Sequence, residues 1–472
     1  MKFKNFSYYI YFKSRTKQKI QWLKLASNLT WQRICFGIAF SASSGKIIIP
    51  SPIEQLDITN SSVVLNKKSR IFRSALRNWT LAEKYRSRGF WHKGIAIQNE
   101  ILHELYAFQE IFDSSYFPPI LGTTWSSNFG HIGQLGIHSL AQKLEILPRG
   151  TRTVVESTPT ANFHLFREVS KNFIATRQKS GERWTEMPAF WHLSERMRMV
   201  KTQLGFIDFS FLINEVFSEK NKQILPKLYL KLSEDSLIEG AKTLENYGLP
   251  KNAKFVAFHH RQTSNSSDVT QIPIENFFPS LKEITDHGIW IIRFGNLGMD
   301  LLPEIPMVID LISKPGAGRE LNPYVLSQSE FFLGQFSGPA HPPMAFGVPV
   351  LGVNVTNIGQ SVTNAPEGSI FLPKKYVKKN GELLGLSQIF EKNLGFGQHL
   401  NKELKAMGLF AEPNSASEIL DATKELTSFV LSEKVSKSKF TRELAGIREH
   451  YRILTSGNFS EKFLEKNPDW LK

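Results

Sequence analysis

Three short stretches combine residue types that can hold an anion. His259-His260-Arg261 closes one apolar run, Arg293-Phe294-Gly295 closes another, and Ser337-Gly338 lies within SEFFLGQFSGPAHPPMAFGVPVLGVN, residues 329–354. The planar donor fork of arginine matches phosphate oxygens, while a neutral histidine offers one donor and one acceptor. A serine hydroxyl beside a glycine suits the same ligand, because the missing side chain lets backbone N–H groups come close. Each has a structural alternative: a strand-end arginine is often a solvated flank, and a Pro-rich loop is often a tight core turn. Their convergence carries more than any one of them, since all three end strands of one expected sheet, and open parallel sheets bind ligands at those ends.

The elements that position these groups read as alternating strands and helices. Expected strands cover Lys254–His259, Ile289–Phe294, Val308–Ile312, Phe331–Gly334 and Val348–Val353, with a short last one at Ile370–Pro373. Between them, Ile274–Asp286 has helical spacing of Phe277, Phe278, Leu281 and Ile284, and the crossover lengths point to a mostly parallel sheet. Ser236–Tyr247 reads as a helix with a capping box between Ser236 and Glu239, followed by a Gly248-Leu249-Pro250 stop. Leu228–Leu232 reads as a short strand, and Leu386–Asn393 and Asn414–Val430 as helices.

A first α/β unit starts at Pro118, with strands at Ile120–Trp125 and Thr151–Glu156 and a helix at Asn162–Phe173. SSNFGHIGQLG (126–136) reads as a Gly-punctuated connection leading into a helix. Asn128 and His131 lie in that connection, where a strand end would display them; a helix cap or a surface position accounts for either equally well. Earlier, residues 71–112 have helical periodicity around Leu76, Trp79, Leu81, Tyr85, Ile97, Ile101 and Leu105.

A chain of 472 residues exceeds a usual single core, so two domains with appendages are expected. The formal charge of +15 favours anionic partners without choosing among nucleotides, nucleic acid, acidic glycans and a bilayer surface. Residues 1–50 carry nine Lys or Arg and no Asp or Glu, with Tyr8, Tyr9, Tyr11, Phe12 and Trp22 interleaved. Such an arm fits an anionic membrane surface, and equally a solvated terminus. A single cysteine, Cys35, excludes internal disulfides and cysteine-rich zinc modules. No run approaches the roughly 20 apolar residues of a membrane span, so the expected location is the cytoplasm or the inner face of its membrane. GxxxxGK[ST], HExxH, GxSxG and GxGxxG are all absent, and no nucleic-acid motif accompanies the charge, which makes nucleic acid an unfavoured partner.

FGHIGQLGIHSLAQKLEILP (129–148), VAFHHR (256–261), IENFFPSLKEITDHGIWIIRFGN (274–296) and FFLGQFSGPAHPPMAFGVPVLGVNVT (331–356) resemble, in that order, a group of bacterial glycosyltransferases found with surface-polysaccharide genes. These are GT-B-like and remotely similar to fucosyltransferases with an HxR motif. The resemblance covers roughly residues 118–425. It implies an α/β, GT-B-like fold of two facing Rossmann-like domains with a helical N-terminal extension: a basic arm (1–50), a helical extension (51–117), an acceptor-side domain (118–235), a nucleotide-sugar-side domain (236–430) and a helical tail (431–472). It implies a nucleotide-sugar donor, a glycan or lipid-linked acceptor, and commonly neither catalytic metal nor other cofactor. His259 and Arg261 match the family's HxR, Arg293 and Gly295 its RxG, Ser337 and Gly338 its SG loop, and His131 and Gly133 its GHxG-like turn. The chain departs at Thr270-Gln271, where relatives often carry Arg-Asn, at Phe277 in place of Tyr, and at Asn296 in place of an acid. The implied roles are Arg261 and Arg293 against a leaving diphosphate, His131 as base, and His259, Gly295, Ser337, Gly338 and Asn128 around the substrates. A non-catalytic module for anionic glycan or nucleotide is the alternative.

Overall fold

The computed structural model describes residues 120–121, 124–147, 154–156, 160–171, 173–176, 199–202, 205–262, 271–356, 358, 365–392, 394–395, 401–432, 439–440, 443–444, 446–447 and 459–471, together with 78, 81, 82, 97 and 100. The expected basic arm, nearly all of the helical extension and most of the tail before residue 459 lie outside the described residues. The chain divides into two compact units. One takes in Met1–Asn128, Glu145–Ala161 and Ser170–Phe209; the other takes in Phe129–Leu144, Asn162–Val169 and Ser210–Lys472.

The first unit contains a three-stranded parallel sheet of β1 (Ile120–Leu121), β2 (Val154–Glu156) and β3 (Ile174–Thr176), with β2 central. An antiparallel pair, β4 (Met199–Thr202) and β5 (Gly205–Asp208), completes its described strands. The strand expected over Ile120–Trp125 stops early, because Thr124–Ser127 turns into a helical segment.

The second unit is built on six parallel strands: β6 (Phe255–His259), β7 (Trp290–Arg293), β8 (Val308–Asp310), β9 (Phe332–Gln335), β10 (Val350–Val355) and β11 (Ile370–Pro373). Their order across the sheet is β11-β10-β9-β6-β7-β8. The chain runs outward from β6 to β8, then returns to the other side of β6 and runs outward again to β11. This is the Rossmann-like order, with its reversal between β6 and β9. All residues of β6, β9 and β10 are buried, as expected for strands covered on both faces.

Helices supply that cover. In chain order they are α1 (Phe129–Lys143), α2 (Phe163–Val169), α3 (Phe209–Val216), α4 (Glu234–Asn246), α5 (Phe278–Asp286), α6 (Asn322–Gln328), α7 (His341–Phe346), α8 (Leu386–Glu391), α9 (Asn401–Ala406), α10 (Ala416–Ser432) and α11 (Glu461–Lys466). Helix α5 packs on α10, α4 and α2 pack on α6, and α1 packs on α7 and α2. Phe258 of β6 meets Phe277, just before α5, at 5.3 Å between ring centroids, tying strand to helix layer. A two-stranded antiparallel ribbon, β12 (Lys375–Lys378) with β13 (Leu409–Glu412), extends beyond β11.

Several expectations are corrected. Leu228–Leu232 forms no strand: a helical turn ends at Leu228, and Leu230 N–H donates a single bond to the Ala345 carbonyl while its side chain is buried. The helix expected to open on a Ser236/Glu239 box begins three residues earlier, with Ser233 at its N-cap position, and the Ser236 hydroxyl donates to Glu168 Oε1 at 3.2 Å. The helix expected over Asn162–Phe173 ends at Val169, and β3 follows it. The segment read as a glycine connection is helical from Phe129, because Gly130, Gly133 and Gly136 form a stripe that lets α1 lie directly on the 338–345 segment.

Candidate active site

The sheet's reversal point puts the ends of β6 and β9 side by side. Their backbone ladder closes with His259 opposite Gly334. Gly334 is needed there, since a Cβ would stand 2.4 Å from the His259 carbonyl oxygen. Beyond that point the fully buried Gln335 side chain takes over: its Oε1 accepts the Arg261 N–H at 2.5 Å and its Nε2 donates to the Arg261 carbonyl at 3.5 Å. His259, Arg261, Ser337 and Gly338 are thereby brought to one edge of the sheet.

His259 is buried, and its imidazole titrates at about 3. Burial is the main cause, with His260, Arg293 and Arg261 adding repulsion. It is therefore neutral near pH 7, able to orient a ligand by hydrogen bonding but not to neutralise one. Its Nδ1 is buried without a hydrogen-bond partner, as is the Ser337 hydroxyl oxygen. Buried polar atoms are rarely left unsatisfied, so two such atoms at one sheet edge mark a place where a polar ligand would be stabilised. His260 points its Nε2 to the Ile272 carbonyl at 2.8 Å, which makes Nε2 the protonated nitrogen, and burial lowers its pKa as well.

Arg293 differs from the expectation of a cation on the rim. It is 1% exposed, with Nη1 donating to Asp310 Oδ2 at 2.7 Å and to the Asp300 carbonyl at 2.8 Å. Asp310 also accepts the N–H groups of Leu302 at 3.0 Å and Ile312 at 3.1 Å. The pair thus pins the segment after β7 to the end of β8. Asp300 in turn exchanges two hydrogen bonds of 2.9 Å with the Gln262 side chain, linking that segment to the end of β6. Gly295 is buried in packing, where a Cβ would meet Met299 Sδ at 2.6 Å.

Helix α1 reaches the same edge. The Phe129 ring lies 6.2 Å from that of Phe294, and a Cβ on Gly130 would stand 2.3 Å from Gly338 Cα. A Cβ on Gly133 would stand 2.4 Å from Pro342 N. His131 is therefore on the first turn of a helix that presses on the Ser337-Gly338 loop, and it is partly exposed. Although it precedes β2 in the chain, α1 groups with the six-stranded unit. Asn128 is exposed and groups with the other unit. His341, at the start of α7, donates from Nδ1 to the Gly338 carbonyl at 3.3 Å, and its Nε2 lies 3.4 Å from the Gln134 amide of α1. That tautomer ties the loop to α1.

Gln335, His341 and Asp310 were not singled out from sequence. Gln335 carries a signal, as the one polar side chain in the buried run FFLGQ; His341 and Asp310 carry none until their partners are known. Among the described residues no group of three or more His, Cys, Asp or Glu is arranged to hold a metal ion, and no helix is long and apolar enough to cross a membrane.

No protein-family model matches the chain, and no curated protein matches it. Among solved structures, a glycosyl transferase family 9 protein from Veillonella parvula is similar over 64% of this chain and 78% of its own, at 14% identity and a TM-score of 0.30. At that distance the likeness carries nothing about activity, which rests on the side chains above.

Proposed function

We propose that this chain is a glycosyltransferase, moving a sugar from a nucleotide-sugar donor to a glycan or lipid-linked acceptor in surface-polysaccharide synthesis. The observation that carries the reading is the placement of Arg261 and of Ser337-Gly338 just past the adjacent ends of β6 and β9, at the reversal point of a Rossmann-like sheet, beside two buried polar atoms without partners. The motif order at these positions, which resembles that of GT-B-like transferases, supports it from the sequence side. In this reading residues 236–430 form the donor side and 118–235 the acceptor side of a GT-B enzyme, with α1, α2 and residues 210–235 of the latter belonging to the same compact unit as the donor sheet.

Arg261 neutralises the charge that develops on the nucleoside diphosphate as the bond from sugar C1 to its oxygen breaks. Ser337 and the N–H groups around Gly338 hold phosphate or ribose oxygens, and neutral His259 orients them. The acceptor hydroxyl forms the new bond to C1 and gives its proton to His131, histidine being the side-chain type that serves most often as a general base. Arg293, buried against Asp310, acts through the segment it pins and leaves the ligand contact to Arg261. The aromatic, basic arm at residues 1–50 suits an acceptor at an anionic membrane surface.

The test is calorimetric titration with a panel of nucleoside diphosphates, for the wild type and for Arg261→Ala, followed by transfer assays with sugars on the base selected. One nucleoside diphosphate is expected to bind in the micromolar range and to lose at least tenfold in affinity in the variant. Binding without turnover for any donor would favour a non-catalytic nucleotide or glycan module. No binding by a folded wild type would remove the donor-site assignment.

A further inference from the structure

We infer that Gln335 is a positioning residue: its carboxamide holds the Arg261 peptide so that the guanidinium is presented to the donor diphosphate. The inference rests on the sugar-transfer reading and concerns the same edge of the sheet.

At the reversal point β6 and β9 have just ended their ladder, at His259 opposite Gly334. Past that point the β6–β9 ladder supplies no further pair. A carboxamide carries one acceptor and two donors, so it reproduces a peptide group in side-chain form. Gln335 does this for Arg261, accepting its N–H at 2.5 Å and donating towards its C=O at 3.5 Å, across 74 positions of sequence. The neighbouring Gly334 brings the two strands close enough for the reach, having no Cβ to strike the His259 carbonyl.

The setting explains why a polar residue is kept there. Gln335 has no solvent exposure and follows Phe332 and Leu333, both fully buried. An apolar side chain of equal length would fill the volume, yet it would leave the Arg261 N–H without this acceptor. A peptide fixed at Arg261 restricts where its long side chain can start, which lowers the ordering cost when the side chain closes on an anion. A merely structural role predicts lost stability that is indifferent to the Arg261 side chain; a positioning role predicts an effect that needs it.

A double-mutant cycle separates these. Dissociation constants for the nucleoside diphosphate bound by the wild type are measured for Gln335→Met, Arg261→Ala and the double variant, by competition where affinities fall to the millimolar range. Gln335→Met keeps length and removes every hydrogen-bonding group. It is expected to weaken binding about tenfold in the wild-type background and not at all in the Arg261→Ala background. Should Gln335→Met fail to fold, the same cycle is run with Gln335→Leu, which likewise removes the acceptor and both donors without adding a charge that would couple to Arg261 by itself. Equal losses in the two backgrounds, or no loss in the first, overturn the inference while the transferase reading stands. Absence of nucleotide binding by the wild type removes both, and is a different result from normal wild-type binding with unaltered Gln335 variants.

Discussion

The Arg293–Asp310 pair is open to a direct stability test. Arg293 is 1% exposed and Asp310 14% exposed at the side chain, with 2.7 Å between Nη1 and Oδ2. Asp310→Ala leaves a buried guanidinium without its counter-charge, a change that costs about 3–5 kcal/mol. It also removes the acceptor for the Leu302 and Ile312 N–H groups, so the upper part of that range is expected. At about 2–4 °C per kcal/mol for a body of this size, a cost of about 4–5 kcal/mol should lower the melting temperature by roughly 8–20 °C. Arg293→Met should cost less, because the Asp310 carboxylate keeps its two backbone donors and part of its solvent access. Urea titration and thermal melting read the stability, and nucleoside diphosphate affinity at a temperature where both variants are folded reads the site. If Asp310→Ala melts within about 1 kcal/mol of wild type, the pair does not hold the fold as argued. If Arg293→Met instead loses affinity as Arg261→Ala does, with stability retained, Arg293 reaches the ligand and its burial has been misread.

Two further predictions use different parts of the unit. His138 and His259 are held neutral by burial, titrating at about 4 and about 3 against 6.5 for the free side chain. Unfolding lets each take up a proton below pH 6.5, so stability is constant above that value and falls as the pH is lowered towards their folded values, by up to about 1.4 kcal/mol per pH unit for each histidine. Urea midpoints from pH 7 to 5 should show the decline, and His138→Gln should reduce its slope by about one proton; an unchanged slope would contradict the assignment. Gly133→Val drives a side chain into the Pro342 backbone, 2.4 Å from the position of its Cβ, and should cost roughly 2 kcal/mol or more with weakened nucleotide binding. Wild-type melting and affinity in that variant would mean that α1 does not brace the loop.

The six-stranded sheet was largely legible because its strands are buried on both faces and so read as continuous apolar runs. Crossover-length segments between them made the parallel arrangement readable too. The strand order was not, since hydrophobic periodicity says nothing about which neighbour a strand chooses. Leu228–Leu232 misled because alternating leucines in a short stretch satisfy a strand pattern; the backbone there pairs with no strand, bonding to Leu225 and Ala345 instead, and Leu230 and Leu232 are buried. Of the site, Arg261 and the Ser337-Gly338 loop stand where strand ends were expected. The character of Arg293 was hidden because its sequence neighbours are the same whether an acid 17 positions later takes its charge or not.

Helix α1 shows the more general difficulty. Glycine inside a helix is unfavourable by about 1 kcal/mol relative to alanine, so three of them at spacing three read as punctuation. The penalty is local, whereas the gain is made with a segment 208 or 209 positions away, where each glycine admits backbone or a small side chain that a Cβ would exclude. His131 inherits its place from that packing: it lies between Gly130 and Gly133, both pressed on the loop that follows β9. A helix this tightly seated cannot shift without moving Gly338 and Pro342, and its hydrogen bond between Gln134 and His341 adds a second tie. The base proposed for the acceptor and the loop proposed for the donor are therefore one mechanical piece, so that a change in α1 should be felt first in nucleotide affinity rather than in proton transfer.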